Sequence, residues 1–432
     1  MSLLITNATL VDGRLVDIQI VGDQITSVHP SGEAVGSTDE VLDVHGQLVI
    51  PGLVDLHTHL REPGREDSET VASGSAAAVR GGYTALSAMA NTFPVADTAG
   101  VVEQIYRLGQ SAGLCDVFPI GAVTEGLEGK KLTELVAMNE SAAKVRVFSD
   151  DGKCVFDPLI MRRALEYVKS FDGVISQHAQ EPRLTEGAQM NEGEISSRLG
   201  LTGWPAIAEE AIIARDILLA EHVGSRLHIA HLTTAGGVDL VRWAKARGVR
   251  VTAEVTPHHL LLTDEAVVGY DAVYKVNPPL RTHSDVLALR AGLADGTIDI
   301  VATDHAPHPS EDKDCEWNAA AFGMLGLETA LSVVVKTMIE SKLMSWSDLV
   351  DRMSIAPAKI GGYARHGSEI DKGSIANLTV VDAKRNWTVD RERLASKSKN
   401  TPFHAMELPA VVTYTIFNGA IVCANGIVRE VA

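Results

Sequence analysis

Short apolar runs separated by turn residues occupy both ends of the chain. Residues 1 to 50 alternate between apolar and polar positions in runs that break at Asp12-Gly13 and Gly22-Asp23. Comparable runs near the C-terminus break at Asn418-Gly419 and Asn425-Gly426. Alternation with a period of two, broken by such pairs, is typical of β-hairpins. We therefore predict strands at both ends, which pair into one small discontinuous β-sandwich domain.

Between these ends, apolar strands alternate with amphipathic helices. The run "GVISQH" precedes the helical pattern "PAIAEEAIIARDILLAEHV", and "RLHIAHL" precedes "AGGVDLVRWAKARG". Repeated strand–helix units predict an α/β fold with a parallel sheet, closed into a (β/α)8 barrel of about 310 residues. The predicted domains are the barrel over residues 53–365 and the two parts of the β-sandwich over residues 1–52 and 366–432.

Length and charge narrow the classes of function. With 432 residues, the chain can form a large barrel with an added domain. Its 56 acidic and 38 basic residues give a net charge of −18, which would repel phosphate backbones and anionic lipid head groups. We therefore expect neither nucleic acid nor a membrane as a partner. A local arginine and a metal ion could still attract an anionic substrate.

The cysteines and the N-terminal segment indicate a cytoplasmic protein. Cys115, Cys154, Cys315 and Cys423 lie far apart without CxxC spacing, so we predict neither a disulfide framework nor a cysteine zinc site. The first residues, "MSLLITNATLVDG", lack the basic start and long apolar run of a signal peptide. No segment reaches the roughly 18 uninterrupted apolar residues of a membrane span.

Candidate metal ligands stand at the ends of predicted barrel strands. The stretch "LVIPGLVDLHTHL", taken as the first barrel strand, ends with His57 and His59, whose i, i+2 spacing turns both imidazoles to one face. The ends of four later strands carry Asp151, His178, His231 and Asp304. Barrel active sites lie at the carboxyl ends of the strands, and imidazole with carboxylate suits zinc.

Six ligands are too many for one tetrahedral zinc ion. They fit two Zn²⁺ ions about 3.5 to 4 Å apart that share a bridging water or hydroxide. One carboxylate must then reach both ions. The segment "VRVFSDDG" delivers two adjacent aspartates, Asp150 and Asp151, to the end of its strand, and it is the natural source of that bridge.

Several motifs together resemble those of dihydroorotase in the amidohydrolase superfamily: "DLHTHLREPG", "SDDG", "ISQHAQEP", "HIAHLTTAGGV", "EVTPHHLLLTDEA", "NPPLR" and "ATDHAPH". The resemblance covers nearly the whole chain. The segment "SDDG" is similar to that of the class I subgroup, in which aspartate replaces a carbamylated lysine as the metal bridge. It implies reversible zinc-dependent cyclisation of N-carbamoyl-L-aspartate to L-dihydroorotate and water, the third step of pyrimidine biosynthesis.

The resemblance also implies roles for individual residues. His57 and His59 would hold one metal, His178 and His231 would hold the other, and Asp151 with a hydroxide would bridge them. Asp304 would bind the first metal and serve as the catalytic base. The family's substrate contacts fall on His59, Arg61, Asn91, Asn277, His308 and the main chain of Phe322 and Gly323, with Arg61 reading the substrate carboxylate. Asp150 would shape the loop or accept a hydrogen bond behind the site, and His258 and His259 would support or pack against it.

Two alternatives stay open. A dihydropyrimidinase, hydantoinase or allantoinase shares the barrel and the HxH motif, but Arg61 has no evident partner in a carboxylate-free substrate. The nearby lysines, Lys144 and Lys153, do not end the strand where a bridging lysine would be needed. A non-catalytic barrel that scaffolds aspartate carbamoyltransferase would be expected to have lost ligands. Because some dihydroorotases associate with that enzyme, we name the transcarbamoylase as a candidate partner. We also expect the chain to form a homo-oligomer.

Overall fold

The computed structural model describes residues 2–33 and 38–429. Residues 1, 34–37 and 430–432 of the predicted β-sandwich domain lie outside the described residues. The strands, in chain order, are β1 (Ser2–Thr9), β2 (Leu15–Val21), β3 (Gln24–Pro30), β4 (Glu40–Asp43), β5 (Leu48–Pro51), β6 (Leu53–Thr58), β7 (Tyr83–Ala88), β8 (Asp116–Pro119), β9 (Val147–Phe148), β10 (Val174–Gln177), β11 (Met190–Asn191), β12 (Gly203–Trp204), β13 (Arg226–Ile229), β14 (Val251–Val255), β15 (Ile300–Val301), β16 (Leu378–Thr388), β17 (Glu407–Phe417), β18 (Ala420–Ala424) and β19 (Ile427–Val428).

The α-helices are α1 (Val71–Arg80), α2 (Ala99–Ala112), α3 (Leu135–Glu140), α4 (Pro158–Lys169), α5 (Glu194–Leu199), α6 (Ile207–Val223), α7 (Ala235–Ala246), α8 (Pro257–Leu261), α9 (His283–Asp295), α10 (Ser310–Lys313), α11 (Ala330–Val334), α12 (Trp346–Val350) and α13 (Ala356–Gly361). Two π-helical stretches, Val335–Ile339 and Asp351–Ile355, extend α11 and join α12 to α13. Short 3-10 turns lie at Glu125–Leu127, Asp264–Gly269, Ala272–Tyr274 and Arg391–Arg393. Within the described residues, no helix has both the length and the apolar character to cross a membrane.

Parallel strands form a closed ring between the two chain ends. Strands β6, β7 and β8 pair in one sheet, and β9, β10, β13, β14 and β15 pair in another. Two parallel bridges join these sheets, one between Gly121 and Phe148 and one between Thr58 and His305. At the second bridge, the His59 N–H donates to His305 O at 2.8 Å. The strand–helix repeats predicted this barrel, and the ring of eight strands confirms it.

Burial on both faces explains the continuous apolar runs of these strands. Every residue of β6, β7 and β10 is buried, as expected for parallel strands that have side chains inside the ring and helices outside it. Helix α6, for example, buries Ile213 and Ile217 in the same core cluster as Ile175 of β10. The strands are therefore held from both sides, and their carboxyl ends are fixed in space.

The strands at the two chain ends form one nine-stranded sheet within the described residues. Its order is β19-β18-β17-β16-β5-β1-β2-β3, with β4 paired to β1. Residues from both chain ends, such as Ile5, Ile18, Leu378 and Ile416, share one core cluster separate from that of the barrel. The predicted hairpins are confirmed, because β2 and β3 pair across Gly22-Asp23, and β17 and β18 pair across Asn418-Gly419.

The prediction of one strand over "LVIPGLVDLHTHL" is wrong. Strand β5 ends at Pro51 and pairs with β16 of the small sheet, whereas β6 begins at Leu53 and pairs with β7 of the barrel. At Gly52 between them, a Cβ atom would lie 2.3 Å from Thr84 Oγ1. The chain thus changes sheets at a residue that admits no side chain. We infer that the first domain boundary lies here, and keep 1–52, 53–365 and 366–432 as the proposed units.

Candidate active site

The six predicted metal ligands meet at the carboxyl ends of barrel strands. His57 lies in β6 and His59 follows it, while the others follow β9, β10, β13 and β15: Asp151, His178, His231 and Asp304. All six side chains are buried. The closed ring therefore brings residues that are far apart in the sequence to one place.

The two carboxylate oxygens of Asp151 face different histidine pairs. Oδ2 lies 3.4 Å from His57 Nε2 and 3.3 Å from His59 Nε2. Oδ1 lies 3.2 Å from His178 Nδ1 and 3.1 Å from His231 Nε2. Within each of these groups of three residues, the candidate ligand atoms lie within 4.8 Å of one another. Asp151 is the member that the two groups share, which is the position of a bridging carboxylate.

Asp304 lies on the side of the first histidine pair. Its Oδ1 is 3.0 Å from His59 Nε2 and 3.4 Å from His57 Nε2. Burial raises the pKa of Asp304, but the neighbouring His57 and His59 outweigh burial and lower this pKa to about 2. The carboxylate is therefore ionised near neutral pH and can accept a proton.

Three of the four histidines place the outer ring nitrogen beside an acceptor oxygen. These contacts are His57 Nδ1 with Glu254 Oε1 at 2.5 Å, His59 Nδ1 with Asn91 Oδ1 at 2.9 Å, and His178 Nε2 with Gln180 Oε1 at 2.7 Å. An acceptor at one ring nitrogen places the N–H there, so a neutral ring turns the lone pair of its other nitrogen inward. The inner nitrogens are therefore set up as ligands.

These inner nitrogens need a positive charge among them. Among the described residues, the buried His57 Nε2 has no hydrogen-bond partner, and His178 Nδ1 faces His231 Nε2 at 2.8 Å. Lone pairs this close to one another and to the oxygens of Asp151 repel unless a proton or a metal cation lies between them. Imidazole nitrogen and carboxylate oxygen are ligands that zinc takes. The donor set thus fits a metal ion in each group.

Glu254 lies beneath the site and was not predicted. It is fully buried in β14, where Oε1 accepts hydrogen bonds from His57 Nδ1 and, at 3.1 Å, from the His231 N–H. Its Oε2 lies 3.0 Å from His228 Nε2. Burial raises the pKa of Glu254, but His57 and His228 outweigh burial and hold it well below its ordinary value. A lone acid inside the apolar run "VTAEV" was the available sequence signal.

Asp150 faces away from the two ligand groups. Its Oδ1 accepts hydrogen bonds from the N–H groups of Val123 and Thr124 at 2.8 and 2.9 Å, and the Thr124 hydroxyl donates to its Oδ2. It therefore shapes the loop that follows β8, the first of the two roles expected for it.

Arg61 lies beside His308 at the edge of the site. Arg61 Nε donates to Pro307 O at 3.1 Å, and its Nη2 is 3.2 Å from His308 Nε2. Burial lowers the pKa of Arg61 to about 10, so the guanidinium stays charged near neutral pH. Burial and the charge of Arg61 lower the pKa of His308 to about 2. A cation thus stands next to a neutral imidazole.

The two predicted asparagines each contact a side chain of the ligand groups or its direct partner. Asn91 Oδ1 accepts from His59, and Asn277 Nδ2 donates to Gln180 Oε1 at 3.3 Å. Among the residues that the structure describes, the buried Asn277 Oδ1 has no hydrogen-bond partner. That oxygen is available to a ligand.

The main chain at Phe322 and Gly323 is largely engaged within the protein. The Gly323 N–H donates to Lys275 O at 2.9 Å, and Phe322 O is 2.8 Å from His308 Nε2. Over residues 2–33 and 38–429, the Phe322 N–H is left without an acceptor. Gly323 has a φ of 136°, and a Cβ there would lie 2.9 Å from His308 Nε2. The Phe322 N–H is therefore available to a ligand.

His258 and His259 are buried outside the two ligand groups. His259 has both ring nitrogens engaged, with the Thr256 hydroxyl at 2.8 Å and Pro278 O at 3.1 Å. Burial lowers the pKa of His258 to about 4, so this imidazole is neutral near neutral pH. His259 thus ties α8 to the loop at Pro278.

Three residues of the site have a left-handed backbone conformation. The φ angles of Arg61, His231 and Asp304 are 64°, 30° and 47°. Residues other than glycine rarely adopt such angles. Those that do cluster where the surrounding structure fixes a functional group. Each of these three residues directly follows the end of a barrel strand or lies within three residues of it.

Known proteins resemble this chain over nearly its whole length. The dihydro-orotase-like family matches residues 46–236. The chain is 65% identical to a dihydroorotase of Streptomyces coelicolor over 98% of both chains, and 54% identical to one of Mycobacterium tuberculosis over 97% of both. Among solved structures, an L-hydantoinase (dihydropyrimidinase) from Arthrobacter aurescens matches with a TM-score of 0.86 at 24% identity, covering 99% of this chain and 97% of its own. These likenesses confirm the predicted fold class, a (β/α)8 barrel with a β-sandwich domain.

Proposed function

The chain belongs to the dihydroorotase family, and we propose that it interconverts L-dihydroorotate and N-carbamoyl-L-aspartate in pyrimidine biosynthesis. Relatives named dihydroorotase share 54 to 65% of its residues over nearly the whole chain. The observation that carries the proposal is Asp151, whose two oxygens face two histidine pairs beside Asp304. This arrangement matches the aspartate-bridged subgroup that the sequence motifs indicated.

We infer that two zinc ions complete the site. His57, His59 and Asp304 would hold one ion, His178 and His231 would hold the other, and Asp151 would contact both. Bound there, the ions would lower the pKa of a water molecule and polarise the ring carbonyl of the substrate. The inward lone pairs and the unpartnered His57 Nε2 support this inference.

Asp304 serves as the base in this proposal. Its ionised carboxylate accepts the proton of the attacking water as the new bond to the carbonyl carbon forms. It then donates that proton to the ring nitrogen as the carbon–nitrogen bond breaks. In the biosynthetic direction the same proton moves the opposite way, the ring closes and water leaves.

Arg61 binds the ring carboxylate of the substrate. A half-buried guanidinium that stays charged is well suited to bind a carboxylate. The imidazole of His308, whose Nε2 is 3.2 Å from Arg61 Nη2, would contact the same group, and the Phe322 N–H can donate to it. Asn91 and Asn277 would supply further substrate contacts. A carboxylate-free ring, as in a hydantoinase substrate, would leave Arg61 without this partner.

Three features stay predictions from the sequence: assembly of a homo-oligomer, binding to aspartate carbamoyltransferase, and a cytoplasmic location. Size-exclusion chromatography with light scattering, on the chain alone and mixed with the transcarbamoylase, tests the first two.

Hydrolysis of L-dihydroorotate by the purified, zinc-supplemented chain tests the proposed function. Loss of ring absorbance would be followed with dihydrouracil and allantoin as parallel substrates. We expect turnover of dihydroorotate alone. Turnover of dihydrouracil or allantoin at a comparable rate would instead indicate a hydantoinase-type enzyme, and silence on all three would indicate a scaffold or a partner-dependent subunit.

A further inference from the structure

The segment 396–400, with the sequence SKSKN, turns polar side chains inward. Ser396, Ser398 and Asn400 are buried, whereas Lys397 is exposed and Lys399 is half-buried. This period of two is that of an extended chain. Buried polar side chains need hydrogen-bond partners, so the partners of these three side chains show what the segment holds.

The two serines bind the loop that follows β6. The Ser396 hydroxyl donates to Glu69, and the Ser398 hydroxyl donates to Ser68 O at 2.7 Å. The Lys397 N–H donates to Glu69 Oε1 at 3.0 Å. Strand β6 carries His57, so this half of the segment is anchored to the loop that follows the first ligand pair.

Asn400 binds two further loops with one side chain. Its Oδ1 accepts the His308 N–H at 3.1 Å, and its Nδ2 donates to Ala306 O at 3.0 Å and to Gly323 O at 3.3 Å. The Leu325 N–H donates to Asn400 O at 3.2 Å. One amide thus joins the loop after β15 to the loop that contains Gly323.

The partners of Asn400 demand an amide. One N–H and two carbonyl groups surround it, so the oxygen must face the N–H and the nitrogen must face the carbonyls. Aspartate would set a negative oxygen against two carbonyl oxygens. Alanine would leave two buried carbonyl groups and one part-buried N–H without this partner.

The groups that Asn400 holds adjoin those that bind the substrate in the proposed function. The ring of His308 lies 3.2 Å from Arg61 Nη2 and 2.8 Å from Phe322 O. Asn400 is bonded to the main chain of His308 and to the carbonyl of the residue after Phe322. Asn400 is therefore hydrogen-bonded directly to residues that form the proposed carboxylate site.

We propose that Asn400 is a positioning residue, which fixes His308 and the main chain at Phe322 so that both can bind the substrate carboxylate together with Arg61. This inference rests on the proposed function. Asn400 acts through His308 and the main chain next to Phe322 and does not touch the substrate, so its removal should weaken substrate binding while the metal groups stay intact.

A double-mutant cycle of Asn400→Ala and His308→Ala tests this role. We expect Asn400→Ala to raise KM for dihydroorotate about tenfold, equivalent to about 1.4 kcal/mol, with a much smaller change in kcat and the same zinc content as the wild type. In the His308→Ala background, Asn400→Ala should add only about twofold, because residues that act as a unit are non-additive. Ser398→Ala, in the same segment but bonded to Ser68, is the matched control and should leave KM within about twofold.

Equal losses from Asn400→Ala with and without His308 would overturn the inference, as would an unchanged KM. Asn400→Ser, which keeps a hydroxyl able to donate to one carbonyl, supplies the cycle if the alanine variant yields too little folded protein. If the wild type turns over dihydroorotate normally but the losses of the two variants are additive, the positioning role of Asn400 is rejected and the proposed function stands. A wild-type chain inactive on dihydroorotate would overturn both this inference and the proposed function.

Discussion

Asp150 and Asp151 are adjacent, yet their carboxylates have different neighbours. Asp150 accepts hydrogen bonds from Val123 and Thr124 in the loop after β8, whereas Asp151 faces four histidines. Successive residues of an extended chain point in opposite directions, so only one of the pair can face the centre of the barrel. The sequence motif placed both at the strand end, and the family resemblance was needed to choose between them.

Asp304→Asn should separate metal binding from proton transfer. The amide keeps the size of the side chain but cannot accept the proton, so we expect kcat for dihydroorotate to fall about 100-fold or more. Zinc content, measured by elemental analysis of the same preparation, should match that of the wild type. Near wild-type turnover in the metal-replete variant would contradict the role of base.

Glu254→Gln should weaken metal binding without touching a ligand. Loss of the carboxylate that accepts from His57 Nδ1 should lower zinc affinity about 10- to 100-fold, the usual effect of removing such a partner. Competition with a chromogenic chelator measures this affinity independently of turnover.

Glu209→Gln is the control for this variant. Glu209 is also buried, but it bonds to Thr233 and Arg281, which are not ligands. We expect its zinc affinity to stay within about twofold of the wild type. Equal weakening in both variants would show that Glu254 has no particular link to the metal.

Turn residues predicted the hairpins of the small sheet, whereas apolar runs did not predict where the barrel strands begin and end. The hairpins of the small sheet were predictable because Gly22-Asp23 and Asn418-Gly419 mark their turns. The limits of the barrel strands were not, because residues buried on both faces show no alternation. Strands β9 and β15 are two residues long each, and the change of sheet at Gly52 leaves the apolar run unbroken.

Glu328, which precedes α11, should make stability depend on pH. Its Oε2 lies 3.2 Å from Arg80 Nε, but burial outweighs this contact and raises the pKa of Glu328 to about 7. The folded chain then keeps a proton that the unfolded chain loses, so the free energy of unfolding falls as pH rises from the ordinary glutamate pKa towards about 7. Glu328→Gln lacks this titration.

The stability of Glu328→Gln relative to wild type should therefore increase between about pH 5 and about pH 8, by about 1 to 3 kcal/mol. Chemical denaturation at several pH values measures it. Glu166→Gln, at an exposed ion pair on α4, is the control and should show no such increase. Wild-type and Glu328→Gln curves that stay parallel across this range would contradict the effect of burial.

Closure of the barrel brings residues of its first strand, β6, next to residues that follow its last strand, β15. The bridge between Thr58 and His305 puts β15 next to β6, and this seam brings Asp304 within 3.4 Å of His57. The segment 396–400 bonds to the loops on both sides of the same seam. The strand-end pattern predicted the six candidate ligands that the structure brings together, but neither Glu254 nor Asn400, because their proposed roles depend on contacts between distant parts of the chain that no local pattern records.

The rate of L-dihydroorotate hydrolysis as a function of zinc bound per chain is the most direct test of a two-metal site centred on Asp151. We expect a metal-free chain to be inactive and the rate to increase until about two zinc ions are bound per chain. Asp151→Ala, which removes the shared ligand, should lose both the second equivalent of zinc and the activity. Full activity at one zinc ion per chain, or turnover that persists without metal, would contradict the two-metal site.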